Sequence, residues 1–146
     1  MKLSDMREYK LKFYLNAEHY VILNDKRGEL HPHTWEISLH FGMPRAIFLE
    51  FTDIEKNIEL YLGQYQNKVL NNTKPFDHIV PTLENMTDCF AEDCANIIEQ
   101  LGGILYSIET AETPTRTYCV TLYHANAKQD SETIDAIVER IVNSHA

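Results

Sequence analysis

The sequence predicts an α+β fold: a four-stranded antiparallel sheet in the order ββααββ, with two helices on one face and a further helix at the C-terminus. Three observations predict it. Two long stretches alternate apolar and polar residues on either side of one polar loop, a long connection for a hairpin. Two stretches with helical spacing follow, each opened by a threonine. Two further alternating stretches then complete the sheet.

In the first stretch, residues 8–22, Tyr9, Leu11, Phe13, Leu15, Ala17 and His19 share one parity, and Lys10, Lys12, Asn16 and Glu18 take the other. Asn24-Asp25-Lys26-Arg27-Gly28 reads as a loop. In the second stretch His31, His33, Trp35, Ile37, Leu39 and Phe41 share a face, opposite Thr34, Glu36, Ser38 and His40. One polar loop between two such strands makes an antiparallel hairpin.

Thr52-Asp53-Ile54-Glu55 has the pattern of a capping box and predicts a helix opened by Thr52. Ile54, Ile58, Tyr61, Leu62, Tyr65 and Val69 form its apolar stripe. Thr82 predicts the cap of a second helix carrying Met86, Phe90, Ile97, Ile98 and Leu101, which Gly102-Gly103 ends. Strands follow at 104–110 and 116–124. A last amphipathic helix, opened by Ser131, buries Ile134, Ile137, Val138 and Ile141.

The 146 residues suit one domain spanning 1–146, and 44% hydrophobic residues suffice for one core. A net charge of −9 argues against nucleic acid and anionic membrane as partners, since both need a basic face. No apolar run reaches the roughly 20 residues of a membrane span. The N-terminal MKLSDMREYK is polar, without a secretory apolar region. Cys89, Cys94 and Cys119 form no C-x-x-C pair, and the expectation is reduced thiols in the cytoplasm.

The chemistry-bearing pattern is histidine. His31 and His33 are two apart on one strand, so both leave the same face. His19 has core-facing parity on the partner strand, near the end that enters the connecting loop. If the hairpin closes there, three imidazoles converge, and three neutral imidazoles with an open fourth position are a catalytic zinc arrangement. The competing reading is surface histidines at a sheet end; the three nevertheless continue the Leu15–Ala17 and Trp35–Ile37 rows. His40 faces the other way, and His78, His124 and His145 read as ordinary polar residues.

The order of motifs resembles the 6-pyruvoyl-tetrahydropterin and 6-carboxy-tetrahydropterin synthase family. The family's F-x-A-A-H stretch reads Leu15-Asn16-Ala17-Glu18-His19, and its H-G-H pair reads His31-Pro32-His33. Its D-F reads Glu50-Phe51 and its L-N reads Leu70-Asn71. P-T-x-E-N is intact at Pro81-Thr82-Leu83-Glu84-Asn85, and E-T at Glu109-Thr110. The resemblance runs from about residue 9 to 124 and implies a T-fold that assembles as a homotrimer or homohexamer. It implies Zn2+ held by His19, His31 and His33, acting as a Lewis acid on substrate oxygens. It also implies a pterin ring anchored by Glu109 beside Thr110, where a carboxylate accepts paired N–H bonds. The family-level activity is that of a carbon–oxygen lyase acting on dihydroneopterin triphosphate.

The departures concern acid–base chemistry. Arg27 stands where the family keeps its proton-transfer cysteine, and an arginine cannot act as a base. Its charge suits a phosphate or carboxylate on a ligand tail. Gln66 and Asn67 stand where the family keeps an Asp-His pair. The catalytic residues are therefore unassigned, with Glu29 and the Asp77-His78 pair as candidate replacements. Two expectations follow: a zinc-binding homologue that takes a pterin-like heterocycle without the standard reaction, or a non-catalytic, metal-stabilised oligomeric protein.

Overall fold

The computed structural model describes residues 5–123, 138–139 and 141–143. Strand β1 (Met6–His19) pairs antiparallel with β4 (His31–Pro44) through fourteen consecutive residue pairs, from Met6–Pro44 to His19–His31. Strands β5 (Ile104–Thr113) and β6 (Arg116–Thr121) extend the sheet in the order β1-β4-β5-β6, all antiparallel. Helices α1 (Phe51–Gly63) and α2 (Leu83–Gln100) intervene between β4 and β5. This is the expected four-stranded T-fold sheet.

Several boundaries differ from the expectation, among them the end of α1 at Gly63, which leaves Tyr65 and Val69 of the expected stripe beyond the helix. The first strand ends at His19, and the stretch read as a loop contains a small hairpin of β2 (Ile22–Leu23) and β3 (Lys26–Arg27). Its turn residues Asn24 and Asp25 have φ of 52° and 61°. Positive φ at both central positions matches the twist of a two-residue hairpin, and Asn and Asp tolerate it best among residues with a side chain. Helix α1 begins at Phe51, capped by Glu50 through its backbone only, so Thr52 lies inside the first turn rather than at the cap. The Glu50 carbonyl accepts from the amides of Asp53 (3.1 Å) and Ile54 (3.4 Å), which starts the helix two residues before a Thr52 cap would.

The second helix behaves as its sequence dictates. Thr82 Oγ1 accepts the Asn85 amide at 3.1 Å. At the other end Gly102 takes φ 95°, and the Gly103 amide donates to Ile98 O at 2.9 Å, closing the last turn.

The core forms between the odd-numbered face of β1 and β4 and the two helices. Phe13, Leu15, Trp35, Ile37, Leu39 and Phe41 pack with Ile54, Ile58 and Leu62 of α1 and Met86, Phe90, Cys94 and Ile98 of α2. Each fully buried Leu, Ile or Phe contributes about 1.5–3 kcal/mol. Between β4 and β5 the register shifts at Tyr106: His40 pairs with Ser107 and Phe41 with Leu105. The extra residue turns Tyr106 and Ile104 into a separate cluster with Met6, Val138 and Ile141. Val138, Glu139 and residues 141–143 are helical, in agreement with the expected terminal helix. Ser131, Ile134 and Ile137 lie outside the described residues, as do His124 and His145. Among the described residues no helix is long and apolar enough to cross a membrane.

Candidate metal centre

His19 and His31 are direct partners at the last pair of the β1–β4 ladder, and His33 faces Ala17 two residues further in. Alternation therefore aims all three imidazoles to one side, where the core rows end. Their ring centroids lie 4.5 Å (19–31), 5.2 Å (19–33) and 4.7 Å (31–33) apart. One nitrogen from each falls within 4.8 Å of the other two, so the group can hold a metal ion. His19 is buried, and its two partners are half-buried.

Main-chain carbonyls fix the rings. His19 Nδ1 lies 2.7 Å from Pro81 O, and His31 Nδ1 lies 2.9 Å from Glu29 O. A carbonyl only accepts, so each Nδ1 carries the hydrogen and each Nε2 presents a lone pair. These two Nε2 atoms stand 2.9 Å apart. Two lone pairs at that distance repel, unless one ring abandons its carbonyl or a proton or metal ion sits between them. The donor set thus fits a borderline-soft divalent ion, and the carbonyls act as the outer partners that fix tautomer and orientation.

Electrostatics point the same way. Burial lowers the His19 pKa below the ordinary imidazole value; His31 and His33 add to that, while Pro81 O and Glu112 oppose it. Burial also lowers the His33 pKa, opposed by Glu112 and assisted by His31 and Arg116. Neutral imidazoles are the ligating form. Trp35 closes the floor, fully buried, with edge contacts at 5.0 Å to His19 and 5.1 Å to His33.

The histidines line a cleft of about 490 Å³ whose other walls include Val21, Leu23, Thr82, Glu84, Glu112 and Arg116. Glu112 was not singled out in the sequence, yet its Oε1 lies 3.6 Å from both His19 Nε2 and His33 Nε2. The signal was available. Glu-Thr occurs at 109–110 and again at 112–113, and Glu112 continues the inward parity of Ile108 and Thr110.

Glu109 itself is exposed, on the opposite face of the sheet, in a cleft with Lys10, Lys12 and Ser38. Adjacent strand residues point to opposite faces, so Glu109 and Thr110 are not brought to one pocket within this chain. Thr110 is buried on the histidine side, and its hydroxyl has no hydrogen-bond partner among the described residues. Arg27 is exposed with its guanidinium 3.9 Å from the Tyr20 ring centroid. Glu29 has an exposed side chain and serves the site through its carbonyl. Asp77 and His78 face each other at 3.7 Å in the loop before α2 and do not line the cleft.

Gln66 is committed to the backbone of β1: its Oε1 accepts the Asn16 amide at 2.9 Å and its Nε2 donates to Tyr14 O at 2.7 Å. Asn67 takes φ 60°, with its amide on Asn16 O. Asn71 clasps the end of β1, accepting the Tyr20 amide at 3.0 Å and donating to Tyr20 O at 2.9 Å.

The fold has known counterparts. The chain overlays a 6-pyruvoyl tetrahydropterin synthase structure from Caenorhabditis elegans with a TM-score of 0.67 at 14% identity, covering 80% of this chain and 95% of that one. The Plasmodium falciparum 6-pyruvoyl tetrahydropterin synthase overlays with a TM-score of 0.61 at 12% identity, covering 82% and 99%. An uncharacterised protein from Wolinella succinogenes gives 0.62 at 15% identity, covering 80% and 98%. At these identities the overlays establish the fold. No curated protein matches the chain in sequence. The family's own sequence profile, described as 6-pyruvoyl tetrahydropterin synthase, matches residues 8–122. With that match over most of its length, the chain belongs to the 6-pyruvoyl tetrahydropterin synthase family.

Proposed function

We propose that this protein is a zinc-binding family member whose cleft receives a pterin-like planar heterocycle, and that it does not carry out the usual turnover of dihydroneopterin triphosphate. The observation that carries the metal is the pair of Nε2 lone pairs 2.9 Å apart, each fixed by a carbonyl behind its ring. The cleft beside it offers the Glu84 carboxylate to paired N–H donors of a ring, and Arg116 to an anionic tail. When bound, the zinc supplies Lewis acidity at ligand oxygens.

Doubt about the standard reaction rests on missing proton carriers. Gln66 does not titrate and both ends of its amide are occupied; Arg27 stays cationic against Tyr20. General acid–base help is typically worth about 10²–10⁴-fold, so its loss leaves little turnover. Calorimetry of the zinc-loaded protein with neopterin, biopterin and guanine tests the binding claim. Binding of a pterin that disappears in a His31→Ala/His33→Ala variant is the expected result, and absence of binding by all three defeats it.

A second reading, a metal-stabilised protein without a small-molecule role, is favoured by one observation: Glu112 occupies the side of the centre where a ligand would approach. Either reading goes with cytoplasmic residence and with assembly into homotrimers or homohexamers. Support for assembly comes from β6 and the first half of β1, which lie at the two edges of the described sheet. Light scattering giving the mass of one 17.0 kDa chain at micromolar concentration would refute it.

A further inference from the structure

We infer that Glu112 is a fourth protein ligand to the metal, closing the centre as a three-histidine, one-carboxylate site. The inference rests on the metal-binding part of the reading above and sharpens its second form. Four ligands at about 2.0–2.1 Å around tetrahedral zinc stand about 3.3 Å from one another. Glu112 Oε1 lies 3.6 Å from His19 Nε2 and 3.6 Å from His33 Nε2. Those two separations are long for a hydrogen bond but close to edges of a coordination tetrahedron, beside the three histidines whose nitrogens already lie within 4.8 Å of one another.

The rest of the carboxylate is arranged for monodentate ligation. Its other oxygen, Oε2, faces Arg116 at 3.6 Å, and the side chain is only 13% exposed. A carboxylate with one oxygen on a metal and the other on a cation is held as ligating histidines are held by their carbonyls. The strand supplies the aim. Glu112 shares the inward parity of Ile108 and Thr110, and the β5–β6 register shifts only between Ala111 and Thr113.

A closed four-ligand site has a chemical consequence. An open site keeps a water whose pKa falls to about 7 on zinc, whereas a closed one has no such water to ionise. Two measurements on the full-length protein test this. The first is zinc affinity by chelator competition for wild type, Glu112→Ala and the control Glu109→Ala. Glu112→Ala is expected to weaken zinc by at least about tenfold, the scale on which even outer partners of a ligand matter. Glu109→Ala is expected to leave it unchanged.

The second is the visible spectrum of the cobalt form between about pH 6 and 9, expected to be constant for wild type and to titrate near neutral pH in Glu112→Ala as water enters. Equal zinc affinity in wild type and Glu112→Ala overturns the assignment and leaves the three-histidine centre standing. A titrating wild-type cobalt spectrum does the same, and it decides the matter even if Glu112→Ala fails to fold. A wild-type protein that takes up neither metal overturns the metal centre altogether.

Discussion

His19 of β1 donates its Nδ1 hydrogen to the carbonyl of Pro81 at 2.7 Å, linking the end of the sheet to the residue before the α2 cap across 62 positions of sequence. The same bond points Nε2 at the other two imidazoles. Sheet, cap and histidine cluster are therefore one mechanical unit.

The purified protein is expected to carry about one zinc per chain, and His31→Ala or His33→Ala to lose most of it. Elemental analysis after gel filtration checks this. Stoichiometric zinc in the His31→Ala/His33→Ala double variant would contradict the centre.

The metal-free protein should lose stability on acidification. His19 and His33 have pKa values lowered by burial, so an unfolded chain, with imidazoles near 6.5, takes up protons first. The unfolded state then binds more protons than the native one, and stability falls as pH drops from about 6.5 through the depressed native values. Above about 7.5 the two histidines contribute no slope. Urea melts across this range should show the fall, and His33→Ala should flatten it. An unchanged slope in that variant would place the titration elsewhere.

Trp35 is the only tryptophan in the chain and touches two of the three imidazoles. Its fluorescence should therefore report occupancy directly. Adding cobalt to metal-free protein is expected to quench it in proportion to loading, with no such response in the His31→Ala/His33→Ala variant. Quenching of equal size in that variant would mean that the ion sits elsewhere.

Asn71 imitates a strand partner for Tyr20 with both ends of its amide. Asn71→Ala removes two hydrogen bonds at the exit of β1, at a cost of about 1–3 kcal/mol. Because Tyr20 follows His19 directly, zinc affinity should fall in the same variant. Denaturant melts paired with chelator competition separate the two effects, and unchanged zinc affinity would show that the clasp serves stability alone.

Glu109→Gln should leave both zinc and heterocycle affinity unchanged, since Glu109 faces away from the histidine cleft. Loss of pterin affinity in this variant, measured by calorimetry, would require the opposite face of the sheet to meet the ligand in the assembled protein.

Much of this arrangement is legible in the sequence because alternation is a strict rule. Parity alone places His19, His31 and His33 with Trp35 and Leu15, and Thr82 announces its helix through a hydroxyl at the right offset. The start of α1 misled because Thr52 and Glu55 satisfy a pattern that the backbone of Glu50 already serves. The hairpin at Ile22–Arg27 hid in residues that read equally well as a loop. Glu112 went unread although it shares the parity of Ile108 and Thr110, because the Glu-Thr motif was read at 109–110. The Pro81 and Glu29 carbonyls leave no trace in side-chain identity, since any residue supplies a carbonyl.

The paired β1 and β4 strands have another consequence. Fourteen rungs at about 3.4 Å each span some 45 Å, against about 27 Å for the 18 residues of α2. The His19–His31 pair is the rung next to the connecting segment of residues 20–30, while the free end of the ladder is Met6–Pro44. An ion seated at the histidines would tie the two ends of that segment together, and its removal should loosen the ladder locally from that rung inward. Amide exchange would then quicken at the histidine rungs while the Phe13–Ile37 rung, deep in the core, keeps its protection.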